Sequence, residues 1–315
     1  MNQTRRLTEG AVLLAVFSVL LTGVLYLPIL WLVVALFLPL PFIIYTVRYG
    51  LKSSLIFSLA AFLISFIIGN IYTLPVAISS GALGLMIGYA VKEKKGRLFL
   101  YITSTLTVTI TTLLQYVLSI ILLDINVIER IFTETQATMI KAIEIMEQFG
   151  QGLPQGYTEE TINQTFDLAR TLFPVLLVLM SFVAMYINVL VCDPILRRLN
   201  IHLPKRIPFR EWRLPRNIIW YYLVVTLLSL FMPIETGTFV YNAVINVSYL
   251  LQILFVIQGL SFIYFYAYNK GITKALPIIV TVFVFLMPIL LLLVVIVGIM
   301  DIGFDLRQRV NQSKS

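Results

Sequence analysis

Residues 9–20 read EGAVLLAVFSVL and begin an apolar run that continues to Pro28. Runs of similar length recur along the 315-residue chain, in which 59% of the residues are hydrophobic and only 12% are charged. A soluble domain carries about 25% charged residues, and a helix needs about 20 apolar residues to cross a bilayer. The sequence therefore predicts an all-α fold, a polytopic integral membrane helical bundle.

Proline and charged turns divide the apolar runs into about nine predicted transmembrane helices. Pro28 separates the first two, the turn VKEKKGR at residues 91–97 separates the fourth from the fifth, and Pro277 opens the last. No signal-peptide cleavage site closes the first run, so we expect that helix to stay in the protein. The predicted segments are residues 10–28, 29–46, 51–69, 71–91, 98–123, 169–192, 217–233, 240–268 and 275–299.

The basic residues orient these segments. With a cytoplasmic N-terminus, 17 of the 23 basic residues fall on the cytoplasmic side, as the positive-inside rule requires. This predicts a multi-pass protein of the bacterial cytoplasmic membrane and explains most of the net charge of +8 without nucleic acid. Nine segments place the basic tail at residues 305–315 outside, so a model with eight segments is the alternative.

Chemically reactive residues are sparse. No Asp, Glu, Lys or Arg lies near the centre of a predicted segment, which argues against an ion-coupled pump. Cys192 and His202 are the only cysteine and histidine, so a His/Cys metal cluster is not expected. Asp193 stands alone, and no catalytic constellation emerges for a membrane enzyme acting on a lipid or isoprenoid substrate. We therefore predict no enzyme activity, no cofactor and no metal.

Residues 124–168 form a predicted acidic extracytoplasmic helical insert, with eight acidic and two basic residues. An apolar stripe at helical spacing follows its first half, residues 150–157 (GQGLPQGY) interrupt it, and Thr158 resembles the N-cap of the next helix. The insert is expected to cover the outer face, close over a cavity as a lid, or dock a partner. The stripe comprises Ile128, Ile131, Thr135, Met139, Ala142, Met146 and Phe149.

Residues 194–216 form a predicted basic cytoplasmic loop in which seven cations alternate with apolar and aromatic side chains. Both ends of the loop continue into membrane segments, so we expect it to lie on anionic lipid, and docking of a cytoplasmic partner is compatible with that position. Nucleic acid is the disfavoured interpretation. The residues expected at this interface are Arg210, Trp212, Arg213 and Arg216.

Small residues predict two close helix contacts. Ala11 and Ala15 lie one helical turn apart and form a groove on the first helix. Ser80, Gly84 and Gly88 form a ridge on the fourth, for which we expect a tight contact inside the protein.

Three stretches resemble known families. The Ala-x-x-x-Ala pair, residues 39–70 (PLPFIIYTVRYGLKSSLIFSLAAFLISFIIGN) and residues 82–97 (ALGLMIGYAVKEKKGR) resemble S components of energy-coupling-factor (ECF) transporters. With the acidic insert and residues 209–223 (FREWRLPRNIIWYYL), the chain resembles the YybS-like family of bacterial polytopic membrane proteins.

The S-component resemblance implies a division of the chain and a partner. Residues 1–123 and 169–193 would form an S-component-like six-helix membrane module, and residues 217–315 an additional three-helix region with a short tail. In S components, the alanine groove docks onto an energy-coupling transmembrane subunit that works with ATPases.

Two functions stay open. The first is a small-molecule binding or transport subunit, and the second is an envelope-associated scaffold or interaction protein that contacts other envelope proteins without transporting anything. For the first, polar and aromatic residues near the predicted outer helix ends could line a ligand cavity, although Trp and Tyr favour bilayer interfaces in any case. Those residues are Tyr26, Trp31, Asn70, Tyr72, Gln115 and Arg170.

Overall fold

A computed structural model describes residues 3–149, 158–231, 235 and 237–312. Every regular element within these ranges is a helix. Six of the helical stretches are long and apolar enough to cross a membrane, or seven if one bent pair counts as a span. The prediction of an all-helical polytopic protein is therefore confirmed at this level.

The chain divides into two compact units. The first unit comprises Met1–Phe166 and Leu176–Lys205, and the second comprises Asp167–Val175 and Arg206–Ser315. Helices α1 to α9 are Gln3–Tyr26, Trp31–Ala35, Pro39–Tyr49, Leu51–Gly69, Leu74–Lys92, Arg97–Leu123, Val127–Gln148, Glu159–Thr171 and Phe173–Arg198. Helices α10 to α14 are Ile218–Phe231, Phe239–Asn269, Ala275–Leu286, Pro288–Phe304 and Leu306–Gln312.

Helices α4 and α5 form a tight antiparallel hairpin. Asn70 ends α4 with a positive φ of 58°, and the Thr73 hydroxyl donates to the Ser65 carbonyl at 2.6 Å across the turn. At the other end of the hairpin, Lys92 Nζ lies 2.8 Å from the position of a Cβ on Gly50. Each helix has 19 residues, enough to cross a bilayer core on its own.

The ridge predicted on the fourth segment lies on α5 and faces α3. A Cβ on Gly84 would stand 2.7 Å from the Pro39 carbonyl oxygen, and one on Gly88 would stand 2.5 Å from Thr46 Cβ. Ser80 is buried one turn earlier. The two backbones approach so closely because the ridge has no bulky side chain.

Helix α1 packs on this core through its aromatic and leucine face. Phe17 and Leu21 are fully buried, and the Phe17 ring meets the edge of Phe42 at a centroid distance of 5.1 Å. Ala11 and Ala15 are exposed on other faces of the same helix. The described part of the chain therefore leaves the groove that they form open.

The insert at residues 124–168 packs through a different face from the predicted stripe. Gln136 on α7 donates to Asn163 on α8 at 2.6 Å, and Phe132 and Phe166 meet at 6.4 Å between ring centroids. The packed face follows Phe132, Gln136 and Ile140, while Met139 of the predicted stripe is exposed. The predicted stripe is therefore not the contact face.

The predicted interruption at residues 150–157 lies outside the described residues. Thr158, the predicted N-cap, precedes α8, and its Oγ1 accepts from the Thr161 amide at 3.2 Å.

The second unit has its own close helix crossing, between α11 and α13. A Cβ on Gly259 would overlap the carbonyl oxygen of Val294, and a Cβ on Gly298 would overlap that of Phe255. No small-x-x-x-small pattern marks these glycines in the sequence, so we did not predict this contact.

The last predicted membrane segment, residues 275–299, is not one straight helix. Helices α12 and α13 are bent by 120° at a break before Pro288, which cannot donate a backbone hydrogen bond. Both arms contact the same part of α11, because Val284 on α12 and Val294 on α13 share a cluster with Leu260. The bent pair therefore packs on the C-terminal half of α11.

Candidate functional site

A cleft of ≈ 290 Å³ opens in the first unit between α3, α5, α6 and α9. Its lining is apolar except for a few hydroxyl and amide groups, and none of the lining residues is charged. The cleft lies where Pro39 and Pro75 begin α3 and α5. Its lining comprises Ala35, Leu38, Pro39, Pro75, Val76, Ser79, Ser80, Leu83, Val108, Gln115, Ala184 and Asn188.

Gln115 spans the cleft from α6 to α5. Its Nε2 donates to the Pro75 carbonyl oxygen at 3.0 Å and to Ser79 Oγ at 2.8 Å. The Pro75 carbonyl lies in the first turn of α5, where a carbonyl also accepts from the amide four residues further on. Gln115 therefore adds a second hydrogen bond to this oxygen and joins α6 to α5 at the cleft.

Asn188 on α9 has unused hydrogen-bonding capacity. Its Nδ2 donates to the Ala184 carbonyl of the same helix at 2.9 Å, whereas its buried Oδ1 has no hydrogen-bond partner among the described residues. Buried amide oxygens normally accept at least one hydrogen bond. A donor entering the cleft would satisfy this one.

The other residues of the predicted outer cavity do not assemble around this cleft. Tyr26, Trp31 and Tyr72 are strongly exposed at helix ends, as expected of interfacial aromatic residues, and Asn70 closes the α4–α5 turn. Arg170 belongs to the second unit and donates to Asp167 at 3.1 Å. Of the six predicted residues, Gln115 is the one that lines the cleft.

A second polar site, which we call the clasp, joins residues 209–216 to α11, α13 and α14 in the second unit. Its centre is Ser261, whose Oγ accepts from Arg307 at 3.0 Å and lies 2.8 Å from the Phe209 carbonyl, to which it donates. Arg307 also donates to the Arg210 carbonyl at 2.9 Å. The basic loop is therefore held by backbone contacts to a buried arginine.

Two carboxylates hold the cations of the clasp. Asp301 is fully buried and accepts from Arg307 Nε at 2.9 Å and from Gln258 Nε2 at 2.5 Å. Asp305 lies 2.7 Å from both Arg213 and Arg216. The Arg213 guanidinium, with Arg216 beside it, holds the pKa of the Asp305 carboxyl below its ordinary value.

The four residues predicted at the interface of the basic loop have partners inside the second unit. Arg213 and Arg216 are paired with Asp305, and the Arg210 guanidinium lies 3.8 Å from the centre of the Tyr268 ring. Trp212 donates to the Ile207 carbonyl at 3.2 Å. These four side chains therefore contact the chain's own second unit, and contact of the loop with anionic lipid stays a prediction.

Sequence reasoning missed Asp301 and Asp305. Both lie beyond the last predicted segment, which ends at residue 299, although two acidic residues near Arg307 and Arg309 in the sequence were a signal of pairing. Among the described residues, no group of three His, Cys, Asp or Glu side chains could hold a metal ion.

Comparisons with known proteins support one of the two resemblances. Residues 15–302 match a family model described as predicted membrane protein, DUF2232. The chain is 31% identical over 310 residues to the uncharacterized protein YybS of Bacillus subtilis, covering 98% of this chain and 100% of that protein. No solved structure matches. The YybS-like resemblance is confirmed, and the S-component resemblance stays a prediction.

Proposed function

This chain belongs to the DUF2232 family of membrane proteins, and from that premise we propose that its first unit binds a small neutral molecule inside the bacterial cytoplasmic membrane. The observation behind the proposal is the buried Asn188 Oδ1, which lacks a partner among the described residues and belongs to a residue lining an uncharged cleft. The volume is close to the lower end of small-ligand pockets, about 300–1,000 Å³.

The lining defines the class of ligand. Because no lining residue is charged, the bound part of the ligand is uncharged as well. Its apolar surface packs on Leu38, Leu83 and Val108, and one hydrogen-bond donor reaches Asn188. Ser79, which already accepts from Gln115, offers a hydroxyl as the second polar contact.

Delivery of such a ligand across the membrane needs a partner, and the S-component resemblance supplies a hypothesis. The exposure of Ala11 and Ala15 supports docking of a transmembrane helix from an energy-coupling subunit, because small residues allow backbones to approach. ATPases would then bind that subunit rather than this chain.

We further propose eight full membrane crossings with a cytoplasmic N-terminus. Helices α1, α3, α4, α5, α6, α9, α10 and α11 cross, and the bent pair α12–α13 returns to its own side. The basic tail then lies in the cytoplasm with the basic loop that it contacts. Under this topology, 20 of the 23 basic residues are cytoplasmic, a stronger asymmetry than nine crossings give.

The binding proposal is tested by purifying the full chain from native membranes in mild detergent and identifying retained small molecules by mass spectrometry. Wild type should retain a neutral compound that Asn188→Leu loses. Thr103→Val is the matched control, because that hydroxyl bonds the Phe99 carbonyl of its own helix. If wild type retains nothing, or Asn188→Leu retains as much, the proposal fails.

The partner hypothesis is tested separately by affinity purification with proteomics. A transmembrane coupling subunit and its ATPases should accompany wild type and be lost from a folded Ala11→Leu/Ala15→Leu variant. Their absence from both preparations rejects S-component-type docking, and the ligand experiment is unaffected by that result.

One observation favours the scaffold function as a second candidate. Helix α7 leaves apolar side chains exposed outside the first unit's core, with Ile131 59% and Phe149 79% exposed. Exposed apolar patches often mark a site where another protein binds, and we propose that the apolar surface of an envelope protein binds here. Met139→Glu should then abolish crosslinking to that protein, while Asn188→Leu should not. Crosslinking that survives Met139→Glu rejects this candidate.

A further inference from the structure

A second cleft, of ≈ 440 Å³, lies in the second unit between α10 and α11. Its closed end is Tyr222, whose ring packs against Phe255 at a centroid distance of 5.2 Å. Seven of its ten lining residues bear a hydroxyl or an amide, and none is charged. The lining comprises Tyr222, Thr226, Ser229, Leu230, Tyr241, Val244, Ile245, Ser248, Tyr249 and Gln252.

The polar groups are arranged along helix faces. Tyr241, Ser248 and Gln252 recur at helical spacing on α11, which places them on one face toward α10. At about 1.5 Å per residue, Tyr241 and Gln252 lie about 16 Å apart along the helix. The polar face therefore reaches from one end of α11 far into its membrane-crossing part.

Four of these polar side chains form no hydrogen bond between the two helices. Thr226 donates to the Tyr222 carbonyl of its own helix at 2.7 Å. The side chains of Ser229, Ser248 and Gln252 form no hydrogen bond with the described part of the chain. An amide that faces hydrocarbon without a hydrogen-bond partner is unfavourable, so the cleft favours an occupant that supplies hydrogen bonds at this depth.

The residues beside the cleft indicate that its occupant also has an apolar part. Leu223 and Leu230 are exposed on α10 beside the cleft. In a membrane these side chains meet acyl chains. An occupant that satisfies both parts of the surface has a polar uncharged head and a hydrocarbon chain.

We propose that the cleft between α10 and α11 binds an uncharged glycerol-based amphiphile. Its hydroxyl and ester carbonyl groups bond Ser229, Ser248 and Gln252, and its chain lies beside Leu230 in the bilayer. A phosphate-bearing lipid is disfavoured because no cation lines the cleft. This site is independent of the ligand proposed for the first unit.

The test is native mass spectrometry of the full chain in detergent with three lipids of identical acyl chains. Dioleoylglycerol and its monoglucosyl derivative present uncharged heads, and dioleoylphosphatidylglycerol presents a phosphate. We expect the uncharged lipids to bind at least tenfold more tightly than the phosphatidylglycerol. Binding of both uncharged lipids assigns recognition to the glycerol esters, and binding of the glucosylated lipid alone assigns it to sugar hydroxyls.

The variant Ser248→Ala/Gln252→Leu should weaken binding of the uncharged lipids about tenfold, because two hydrogen-bonding groups are lost. Val247→Ala on the exposed face of α11 is the control and should bind as wild type does. If the double variant does not fold, a photoreactive diacylglycerol should still label α10 and α11 of the wild type. Equal binding of phosphatidylglycerol, unchanged binding by the folded double variant, or labelling elsewhere overturns the proposal.

Discussion

Arg307 and Asp301 form a buried ion pair, with 2.9 Å between Nε and Oδ2, and both residues are almost fully removed from solvent. The same arginine donates to the carbonyl of Arg210, 97 residues earlier in the chain. One side chain thus fixes the end of α13 to the basic loop. These contacts hold the loop at Arg210 beside α13 and α14.

Removing one partner of this pair should be far more damaging than removing both. Asp301→Asn leaves Arg307 buried without a counter-charge, and we expect a loss of unfolding free energy on the order of 3–5 kcal/mol. Asp301→Leu/Arg307→Met should recover most of that loss. Unfolding in detergent, followed by tryptophan fluorescence, measures both.

The control for this experiment is the exposed pair Arg130–Glu134 on α7. Arg130→Ala should change stability far less than Asp301→Asn does, because water screens such a pair. If Asp301→Asn were no worse than this control, the clasp would contribute little to the fold.

Two glycines of α13 provide a matched comparison. A Cβ on Gly298 would overlap the Phe255 carbonyl oxygen, whereas a Cβ on Gly303 would meet only the Ile219 side chain at 3.7 Å. Gly298→Ala should cost about 1–3 kcal/mol through overpacking. Gly303→Ala should be neutral or stabilise by up to about 1 kcal/mol, because alanine favours helix. The measurement is the thermal unfolding midpoint of each variant. Equal midpoints for Gly298→Ala and Gly303→Ala would contradict the close crossing of α11 and α13.

The sequence predicted local elements better than it predicted their partners. The turn at Asn70 and the ridge at Gly84 follow from apolar periodicity and small residues, which are local signals. The contact of Gly298 with Phe255 joins residues far apart in the chain, and a single glycine in the sequence does not indicate which residue it will contact. The same holds for Asp301, since nothing near it in the sequence indicates Gln258.

The candidate site was predictable only in part. Among the amides of the apolar segments, Gln115 and Gln258 bond other helices, and Asn246 accepts from the Val175 amide at 3.0 Å. Asn188 Oδ1 and the Gln252 side chain lack partners in the described part of the chain. An amide that holds helices together and one left for a ligand have the same sequence signature, so only the geometry separated them.

Acid should weaken the clasp at Asp305. The Arg213 guanidinium lowers the pKa of this carboxyl in the folded protein, so its stabilising effect is complete above its unfolded pKa of about 3.9. The effect is lost as the pH falls further, through the lower folded pKa. Wild type should therefore lose more thermal stability than Asp305→Asn between pH 7 and pH 3. Asp167→Asn, at an exposed carboxylate, should behave as wild type does, and an Asp305→Asn curve parallel to wild type would contradict the assignment.

The side of the tail decides between eight and nine crossings. In a Cys192→Ser background, a cysteine at Gln308 should react only with a membrane-permeant maleimide in intact cells, because Asp305 and Arg307 contact the basic loop. A cysteine at Lys95 is the control for the cytoplasmic side, and one at Thr138 on α7 is the control for the outside. Both positions are exposed. If the Gln308 cysteine reacts with an impermeant reagent as the Thr138 cysteine does, then α12 and α13 cross the membrane together, and the clasp must form on the outer side or not at all in the cell.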